Sequence, residues 1–436
     1  MEIFIVALIC VGLILLLGMG LWIFVALLLT SGVSLFLVGG MPIDRIGAII
    51  SNVALRYAGS AEIAAIPIFI WMGEILFRTD ISDRLFRGLS PLVARLPGGL
   101  VHTNILGCTL FAAISGSSAA TTATVGKITV RELCRRDYDR RLVIGSLAGA
   151  GSLGLLIPPS IAIIVYGVLA EVSVSRLFAA GVLPGLLVAA LYSGYILVSS
   201  LIYYRTKPVG SDVRLTLLEK ISSAANLLPI LTLMVVVLGA IYTGLATPSE
   251  AAAVGVVGAL AIVAVLGQLN LSMLKDSLAG ALRSSCMVTV ILLAAAVLST
   301  ALGYLHVPTM VAASIGEMQL SPYMLIFILA IMYAGLGLIL DGISMIVMSL
   351  PITLPLVLQA GFDPVWFGIF LILMVELAQI TPPVGINLFV IQGMTGRPIG
   401  WIALAALPFF LLMCLAVLLI TLFPGIVLWL PDALYN

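Results

Sequence analysis

The sequence predicts an all-α polytopic membrane protein built from two repeats, each with a re-entrant helical hairpin and a broken helix. Three observations predict this class: the composition, long apolar stretches that contain glycine and proline, and motifs that recur at a nearly constant offset. Of the 436 residues, 62% are hydrophobic and 9% are charged, and the mean hydropathy is +1.28. A soluble domain carries about 25% charged residues. Most of this chain therefore lies in a lipid bilayer.

Composition also excludes several functions. The net charge of +1 gives no field that would attract a polyanion, so we expect no nucleic-acid partner. Five scattered cysteines form no CxxC pair, which argues against a zinc ribbon or a redox couple. The sequence has neither HExxH nor a P-loop, so a metalloprotease or a self-powered ATPase is not indicated. We predict that the protein is not an enzyme.

Ten apolar stretches run along the chain, and several are longer than the ~20 residues that one pass needs. The longer ones must hold two passes, or a pass and a hairpin. Alternating ten-residue segments typical of a membrane β-barrel are not seen. The stretches lie near 3–38, 46–77, 98–126, 142–170, 177–204, 226–269, 284–318, 322–359, 364–395 and 401–430.

Basic residues predict which loops face the cytoplasm. Nineteen of the twenty precede Ser285, and only Arg397 follows it. They concentrate in three segments, 78–95, 127–141 and 205–220. The positive-inside rule places all three in the cytoplasm.

The segment between the first two basic clusters is too short to cross the membrane twice. The 31 residues between Arg95 and Lys127 contain no Asp, Glu, Lys or Arg. One pass would put its ends on opposite sides, and two passes need about 40 residues and a turn. A re-entrant hairpin satisfies both constraints. We expect its turn at Ser115–Ser118, where helix formers stop, and non-helical backbone at that depth must be buried or line a cavity.

Landmarks in the first half recur in the second. Gly116 and Gly342 are 226 positions apart, and the pairs Pro158-Pro159 and Pro382-Pro383 are 224 apart. Pro184 and Pro408 also differ by 224. Interrupted hydrophobic segments at corresponding places in two halves are typical of transporters built from repeats.

Each proline pair is expected to break its helix. Proline lacks an N–H and crowds the carbonyl four residues back. The break leaves a carbonyl-rich end that suits a small hard cation, followed by a helix N-terminus that suits an anionic group. We expect free carbonyls at Gly154 and Leu155 in the first break and at Ala378 and Gln379 in the second.

The hairpin tips add oxygen atoms of the kind that bind sodium. Hydroxyl and carbonyl groups do not change their protonation state near neutral pH. Among the groups at the tips only Asp341 could do so, and we therefore favour Na⁺ over H⁺ as the coupling ion. The competing interpretation is that serine, threonine and glycine form a close-packing face between helices. Glu376 is an intramembrane carboxylate, for which a functional role and a structural ion pair are both open.

Five motifs together resemble the large membrane subunit of tripartite ATP-independent periplasmic (TRAP) transporters, across essentially the whole chain. They are GSSAATTATVG, GLLIPPS, ATPSEAAAVG, LDGISMIVMSLPITLPL and ITPPVGINLFVIQG. The resemblance implies the ion-transporter-superfamily fold, with two inverted repeats and a scaffold plus an elevator-type transport domain. It also implies a multi-pass protein of the bacterial inner membrane.

The resemblance further implies Na⁺-coupled import of a small organic acid, such as a C4-dicarboxylate, a sialic acid or another sugar acid. A periplasmic substrate-binding protein would deliver this carboxylate. A small four-helix membrane subunit would pack against the large one, and we expect it to be a separate chain.

By position, the resemblance also implies site residues, with two or more Na⁺ ions bound. Sodium ligands in the first repeat would be Ser115, Ser117, Gly154, Ile157 and Pro158. Those in the second would be Gly342, Ser344, Thr381 and Pro382. Substrate contacts are expected from Ser118, Thr121, Ser160, Asp341, Gly385 and Asn387.

We divide the chain into four parts. Residues 1–97 form N-terminal scaffold helices. Residues 98–204 form the transport part of the first repeat, with a hairpin at 98–126 and a broken helix at 142–170. Residues 205–321 hold a cytoplasmic loop and further scaffold helices. Residues 322–436 form the second transport part, with a hairpin at about 335–359 and a broken helix at 364–395.

Two other hypotheses compete with the TRAP permease. One is a standalone carboxylate/Na⁺ symporter of the same superfamily, which needs no binding protein. The other is an intramembrane enzyme, which requires clustered acids or histidines; the DxxD pair Asp80 and Asp83 has no second acidic motif beside it.

Overall fold

A computed structural model describes residues 2–202, 222–311, 321–383 and 385–435 of the chain, and these residues form helices without strands. Six described helices are long and apolar enough to cross a bilayer, or seven if one pair bent by 59° is counted as a single span. The predicted all-α multi-pass class is therefore confirmed. The basic segment predicted at 205–220 lies outside the described residues.

The described part of the first half forms ten α-helices and two short 3₁₀ turns, at Gly99–Val101 and Leu153–Leu155. They are α1 (Glu2–Gly18), α2 (Ile23–Leu37), α3 (Ile43–Ala58), α4 (Ala61–Phe77), α5 (Ile81–Val93), α6 (His102–Ser115), α7 (Ser118–Arg135), α8 (Arg140–Ser152), α9 (Ile161–Ala170) and α10 (Val174–Ile202).

Nine further described helices follow. They are α11 (Leu228–Tyr242), α12 (Pro248–Val265), α13 (Leu271–Tyr304), α14 (Pro322–Leu336), α15 (Gly342–Gln359), α16 (Pro364–Gln379), α17 (Ile386–Thr395), α18 (Ile399–Leu422) and α19 (Gly425–Tyr435).

Helix pairs α6–α7 and α14–α15 form the two hairpins. The first turns at Gly116 and Ser117, within the predicted turn. The second spans Pro322–Gln359 and turns at 337–341. It begins earlier than the expected 335, because α14 is a full helical arm whose apolar sequence gives no sign of whether it crosses or turns back.

Both expected broken helices are present. The first is α8 and α9, interrupted between Ser152 and Ile161, and the second is α16 and α17, interrupted between Gln379 and Ile386. In both interruptions the proline–proline peptide bond is cis. The prolines end the helices because neither can donate the hydrogen bond that would continue them.

The two halves pack across each other at the centre of the molecule. The second arm of the first hairpin, α7, packs against α17, the helix after the second break. The second arm of the second hairpin, α15, packs against α9, the helix after the first break. Each hairpin therefore contacts the broken helix of the other half as well as its own.

Around this centre, α4 packs against α12 and α13, and α13 packs against α2. Helix α12 begins with a capping box, as its sequence indicates. The Thr247 hydroxyl accepts from the Glu250 N–H at 3.4 Å, and the Thr247 N–H donates to the Glu250 carboxylate at 2.8 Å. Pro248 is the first residue of the helix.

Thr247→Ala is expected to loosen the first turn of α12, because it removes the acceptor for the Glu250 N–H. Loss of an N-cap hydroxyl costs roughly 1 kcal/mol. We expect hydrogen exchange of the amides at 248–252 to rise by about fivefold, measured by mass spectrometry in detergent. Thr243→Ala is the control, since the Thr243 hydroxyl donates back to the Gly239 and Ala240 carbonyls of α11 and bonds no group of α12. Equal exchange in both variants would contradict the capping role.

Candidate functional site

The tip of the first hairpin rests on the first helix break. Gly116 ends α6 with φ of +58°, a left-handed conformation that suits glycine, and the chain reverses there. Ser117 then caps α7 by accepting a hydrogen bond from the Ala120 N–H. A Cβ on Gly116 would lie 3.1 Å from the Pro159 carbonyl oxygen. The tip and the break are thus in backbone contact.

Gly154 makes the closest approach in this contact. A Cβ at this position would lie 2.6 Å from the Ser117 carbonyl group and from the Ser118 amide nitrogen. These are backbone atoms, which cannot rotate away as a flexible side chain could. The structure therefore brings together Ser115, Ser117 and Gly154, which sequence analysis assigned to one cation site.

Hydroxyl groups connect the tip internally. Ser115 Oγ lies 2.7 Å from Thr121 Oγ1, and it also donates to the Ser117 carbonyl at 3.3 Å. Ser118 Oγ donates to the Ser152 carbonyl at 2.9 Å. Ser115, Ser118 and Thr121 are all buried.

The carbonyls at the first break are only partly free. Gly154 has no N–H donor four residues ahead of it, because that residue is Pro158. The Leu155 carbonyl, in contrast, accepts from the Ser160 hydroxyl, which also caps α9. Ser160 was predicted to contact substrate, but its hydroxyl is engaged inside the break. No donor from the described part of the chain bonds the Gly154 carbonyl.

The second hairpin tip repeats this arrangement with different chemistry. Asp341 caps α15, accepting from the Ser344 N–H at 3.4 Å and from the Ser344 hydroxyl. A Cβ on Gly342 would lie 2.4 Å from Val375 Cγ1 and 3.2 Å from Gln379 Nε2, so this tip rests on α16 just before the second break. Gly342 and Ser344 thus lie beside the break that holds Thr381.

The second break satisfies more of its own backbone than the sequence predicts. The Ala378 carbonyl accepts from the Thr381 N–H at 3.2 Å, so the expectation that it is free is wrong. The last turn of α16 has 3₁₀ geometry, in which an N–H bonds to the carbonyl three residues back, and the Ala378 carbonyl is satisfied in this way. The Thr381 carbonyl accepts from the Gly385 N–H at 2.9 Å, and the Thr381 hydroxyl donates to the Leu377 carbonyl.

The two breaks differ in exposure. Ile157, Pro158 and their neighbours in the first break are buried, whereas Pro382 and Pro383 are exposed. Thr381 borders an apolar cavity of about 510 Å³ between α14, α16 and α18. A second cavity, of about 520 Å³, has Arg56, Glu62 and Glu171 in its lining.

Asn387 is a buried polar side chain without a partner among the described residues. It is in the first turn of α17, is 0% exposed, and neither its amide oxygen nor its amide nitrogen has a hydrogen bond. Gly385 precedes it and caps the helix. Both ends of this amide are therefore available for a further hydrogen bond.

Glu376 connects the two halves and is absent from the predicted site residues. Its carboxyl group is fully buried and accepts from the Leu155 N–H at 2.8 Å, and its other oxygen lies 3.3 Å from the Ser118 hydroxyl, whose one hydrogen is shared with the Ser152 carbonyl. Sequence analysis left a structural ion pair open for Glu376. The described residues provide it with no cationic partner within ion-pair distance.

The segment before α6, which leads into the first hairpin, is hydrogen-bonded to the loop between α7 and α8. The Leu100 N–H donates to the Tyr138 hydroxyl at 3.2 Å, between α7 and α8. Burial raises the pKa of Tyr138, with the Leu100 bond and nearby Arg136 opposing it. The phenol is therefore protonated at neutral pH and keeps this contact.

Two hairpins that pack across two interrupted helices are typical of a multi-pass membrane transport protein. The family described as "Tripartite ATP-independent periplasmic transporter, DctM component" matches residues 10–426, and the chain belongs to this family. It is therefore a TRAP large membrane subunit and a multi-pass protein of the inner membrane.

Two relatives support the family assignment, and one solved structure shares the fold. The chain is 35% identical over 387 residues to the C4-dicarboxylate TRAP transporter large permease protein DctM of Pseudomonas aeruginosa, covering 88% of this chain and 90% of that protein. It is 34% identical over 385 residues to the isethionate TRAP transporter permease protein DctMQ of Oleidesulfovibrio alaskensis, covering 88% of this chain and 59% of that protein. The Alcanivorax borkumensis YdaH transporter matches with a TM-score of 0.63 at 16% identity, over 88% of this chain and 90% of that one. At that identity the likeness concerns the fold alone.

Gly154→Ala is expected to push the first hairpin tip off the break, because the added methyl group meets backbone atoms. Overpacking of this kind costs typically 1–3 kcal/mol. We expect hydrogen exchange at 115–121 to rise by about fivefold or more. Gly194→Ala is the control, since a methyl group there meets no atom within 4 Å. Unchanged exchange at the tip in Gly154→Ala would contradict the tip-on-break contact.

Proposed function

We propose that this protein is the large permease of a TRAP system that imports a small organic acid together with Na⁺. The observation that carries the proposal is that each hairpin tip lies at an interrupted helix: the first tip on the Gly154 backbone, and the second on α16 just before its break. Hydroxyl and backbone oxygens are present at the first tip, on Ser115 and Ser117, and hydroxyl and carboxylate oxygens at the second, on Ser344 and Asp341. Such oxygens suit a hard monovalent cation.

The distribution of charge supports an inverted relation between the repeats. The first hairpin begins after Arg95 and ends near Arg135, so both of its ends are on the basic, cytoplasmic side. The second hairpin lies in a stretch without Lys or Arg between Arg283 and Arg397. We infer that it enters from the periplasm, so that the two tips meet near the middle of the bilayer.

Two or more Na⁺ ions are proposed to bind at these tips. The first site would draw its ligands from Ser115, Ser117, Gly154, Ile157 and Pro158. The second would draw them from Gly342, Ser344, Thr381 and Pro382. The close contacts at Gly154 and Gly342 support this grouping, because a ligand cage needs both chain segments within a few ångströms.

The organic acid is proposed to bind between the two sites. Of the residues expected to contact it, the hydroxyls of Ser118, Thr121 and Ser160 are engaged internally, whereas Asn387 has an unpartnered amide. Asn387 and the N–H groups at the start of α17 are therefore the strongest candidates for the anionic group of the substrate. The two relatives named above carry, by their names, a C4-dicarboxylate and isethionate, which are both small anions.

An elevator-like displacement is the proposed motion. In it, the hairpins and broken helices would move as one body against the scaffold helices. The ion pair between Arg56 of α3 and Glu171 after α9 joins these parts at 2.7 Å, with side chains 73% and 69% exposed. A solvated pair of this kind is worth little, so it would break at small cost when the parts separate.

The partners would be a small four-helix membrane subunit and a periplasmic substrate-binding protein. The alternative, a standalone carboxylate/Na⁺ symporter, shares the same core and differs in needing no binding protein. Family membership favours the tripartite arrangement.

Uptake in proteoliposomes tests this proposal. The vesicles would contain this chain and the small subunit, with the cognate binding protein and its radiolabelled ligand outside. We expect uptake to require both an inward Na⁺ gradient and the binding protein. The ligand is first identified by a binding screen on that protein.

Two results would contradict parts of the proposal. Uptake that ignores the Na⁺ gradient and follows an imposed proton gradient would exclude sodium coupling. Uptake of the free acid without binding protein would favour the standalone symporter.

A further inference from the structure

Glu376 occupies a position where a buried charge needs a reason. Its side chain lies in the interior of the fold and is 0% exposed. Burying an ionised carboxylate is costly unless hydrogen bonds and an opposite charge compensate it. The hydrogen bonds are present, but among the described residues no Arg, Lys or His lies within ion-pair distance.

The two groups that contact the Glu376 carboxylate are each next in sequence to a proposed ligand of the first cation site, one on the break and one on the hairpin tip. Leu155, whose N–H donates at 2.8 Å, follows Gly154 in the chain, and Ser118, whose hydroxyl donates at 3.3 Å, follows Ser117. Consecutive Cα atoms are about 3.8 Å apart. The carboxylate therefore lies one residue away from ligands on both the break and the tip.

The repeat offset makes the position of this carboxylate informative. At the 224-residue offset of the proline pairs, Glu376 corresponds to Ser152. At the 226-residue offset of the tip glycines, Asp341 corresponds to Ser115. The two acids that lie at a hairpin tip or just before a break thus belong to the second repeat, and the first repeat has neutral serines in their places.

We propose that Glu376 is a positioning residue that supplies the negative charge for the first cation site, from the opposite repeat. Its carboxylate holds the Leu155 N–H and the Ser118 hydroxyl, and so fixes the break and the tip around the ion. The first repeat provides neutral oxygen ligands, and the second repeat provides the charge. This inference rests on the proposed sodium coupling, and it adds a residue that the ligand set does not contain.

A consequence is that the two halves cannot bind cations independently. Loss of contact between α16 and the first break would remove the compensating charge as well as two hydrogen bonds. Occupation of the first site therefore requires that the halves stay packed together.

The test is Na⁺-dependent thermal stabilisation of the purified full-length chain in detergent. NaCl is titrated against choline chloride at constant ionic strength, and no organic acid is needed. Glu376→Gln keeps the size of the side chain and an acceptor for the Leu155 N–H, but removes the charge. Glu376→Asp keeps the charge and shortens the reach. Glu62→Gln, at an exposed position in the first turn of α4, is the matched control.

We expect Glu376→Gln to raise the half-saturating Na⁺ concentration by about tenfold or more, because an opposite charge within several ångströms is lost in a region of low dielectric. Glu376→Asp is expected to lie between wild type and Glu376→Gln, and Glu62→Gln to match wild type. A purely geometric role gives the opposite order, with Glu376→Gln nearer to wild type than Glu376→Asp, and that order would overturn the inference. If Glu376→Gln does not fold, the Glu376→Asp titration decides: loss of the Na⁺ response there overturns it.

Failure of the proposed function gives a different result. If wild-type protein shows no stabilisation by Na⁺, sodium coupling itself is wrong. If wild type responds and Glu376→Gln responds equally, only the role of Glu376 is wrong.

Discussion

The need to satisfy backbone polar groups inside a bilayer governs this structure. Lipid offers no hydrogen bonds, so a broken helix persists only where protein, water or an ion completes it. Here the first break contacts its hairpin tip through backbone at Gly116 and Gly154, and the second tip packs through Gly342 on α16 just before the second break. The breaks and the tips therefore depend on each other, and neither would be stable alone in the membrane.

This mutual dependence explains why the two halves cross. Helix α7 packs on α17 and α15 packs on α9, so each hairpin arm covers the helix that follows the break of the other half. Such crossing produces one compact transport core from two repeats. It also explains how a side chain of the second half, Glu376, reaches the first break.

Much of the fold was predictable from sequence because its causes are local. The turn at Gly116, the interruptions at both proline pairs and the capping box at Thr247 each follow from residues within a few positions of one another. The start of the second hairpin was not predictable in this way. Helix α14 is apolar throughout and has no Lys or Arg near either end, so the positive-inside rule does not distinguish an arm from a crossing helix.

The site was predictable in its outline and not in its bonding. The family resemblance grouped Ser117 with Gly154, and the fold places these two residues in backbone contact. It could not show that the Thr381 N–H recovers the Ala378 carbonyl, since that depends on how tightly the last turn of α16 winds. Nor could it show that Glu376 binds a backbone N–H 221 positions away, which only the tertiary fold determines.

Equilibrium binding of radioactive ²²Na⁺ to the purified chain tests the central claim most directly. Because each half of the chain places a hairpin tip at an interrupted helix, we predict saturable binding of at least two Na⁺ ions per chain. This binding is lost when unlabelled Na⁺, but not choline, is added in excess. Binding of no ions, or of a single ion unaffected by Gly154→Ala and by substitutions at Gly342, would contradict the account of paired cation sites.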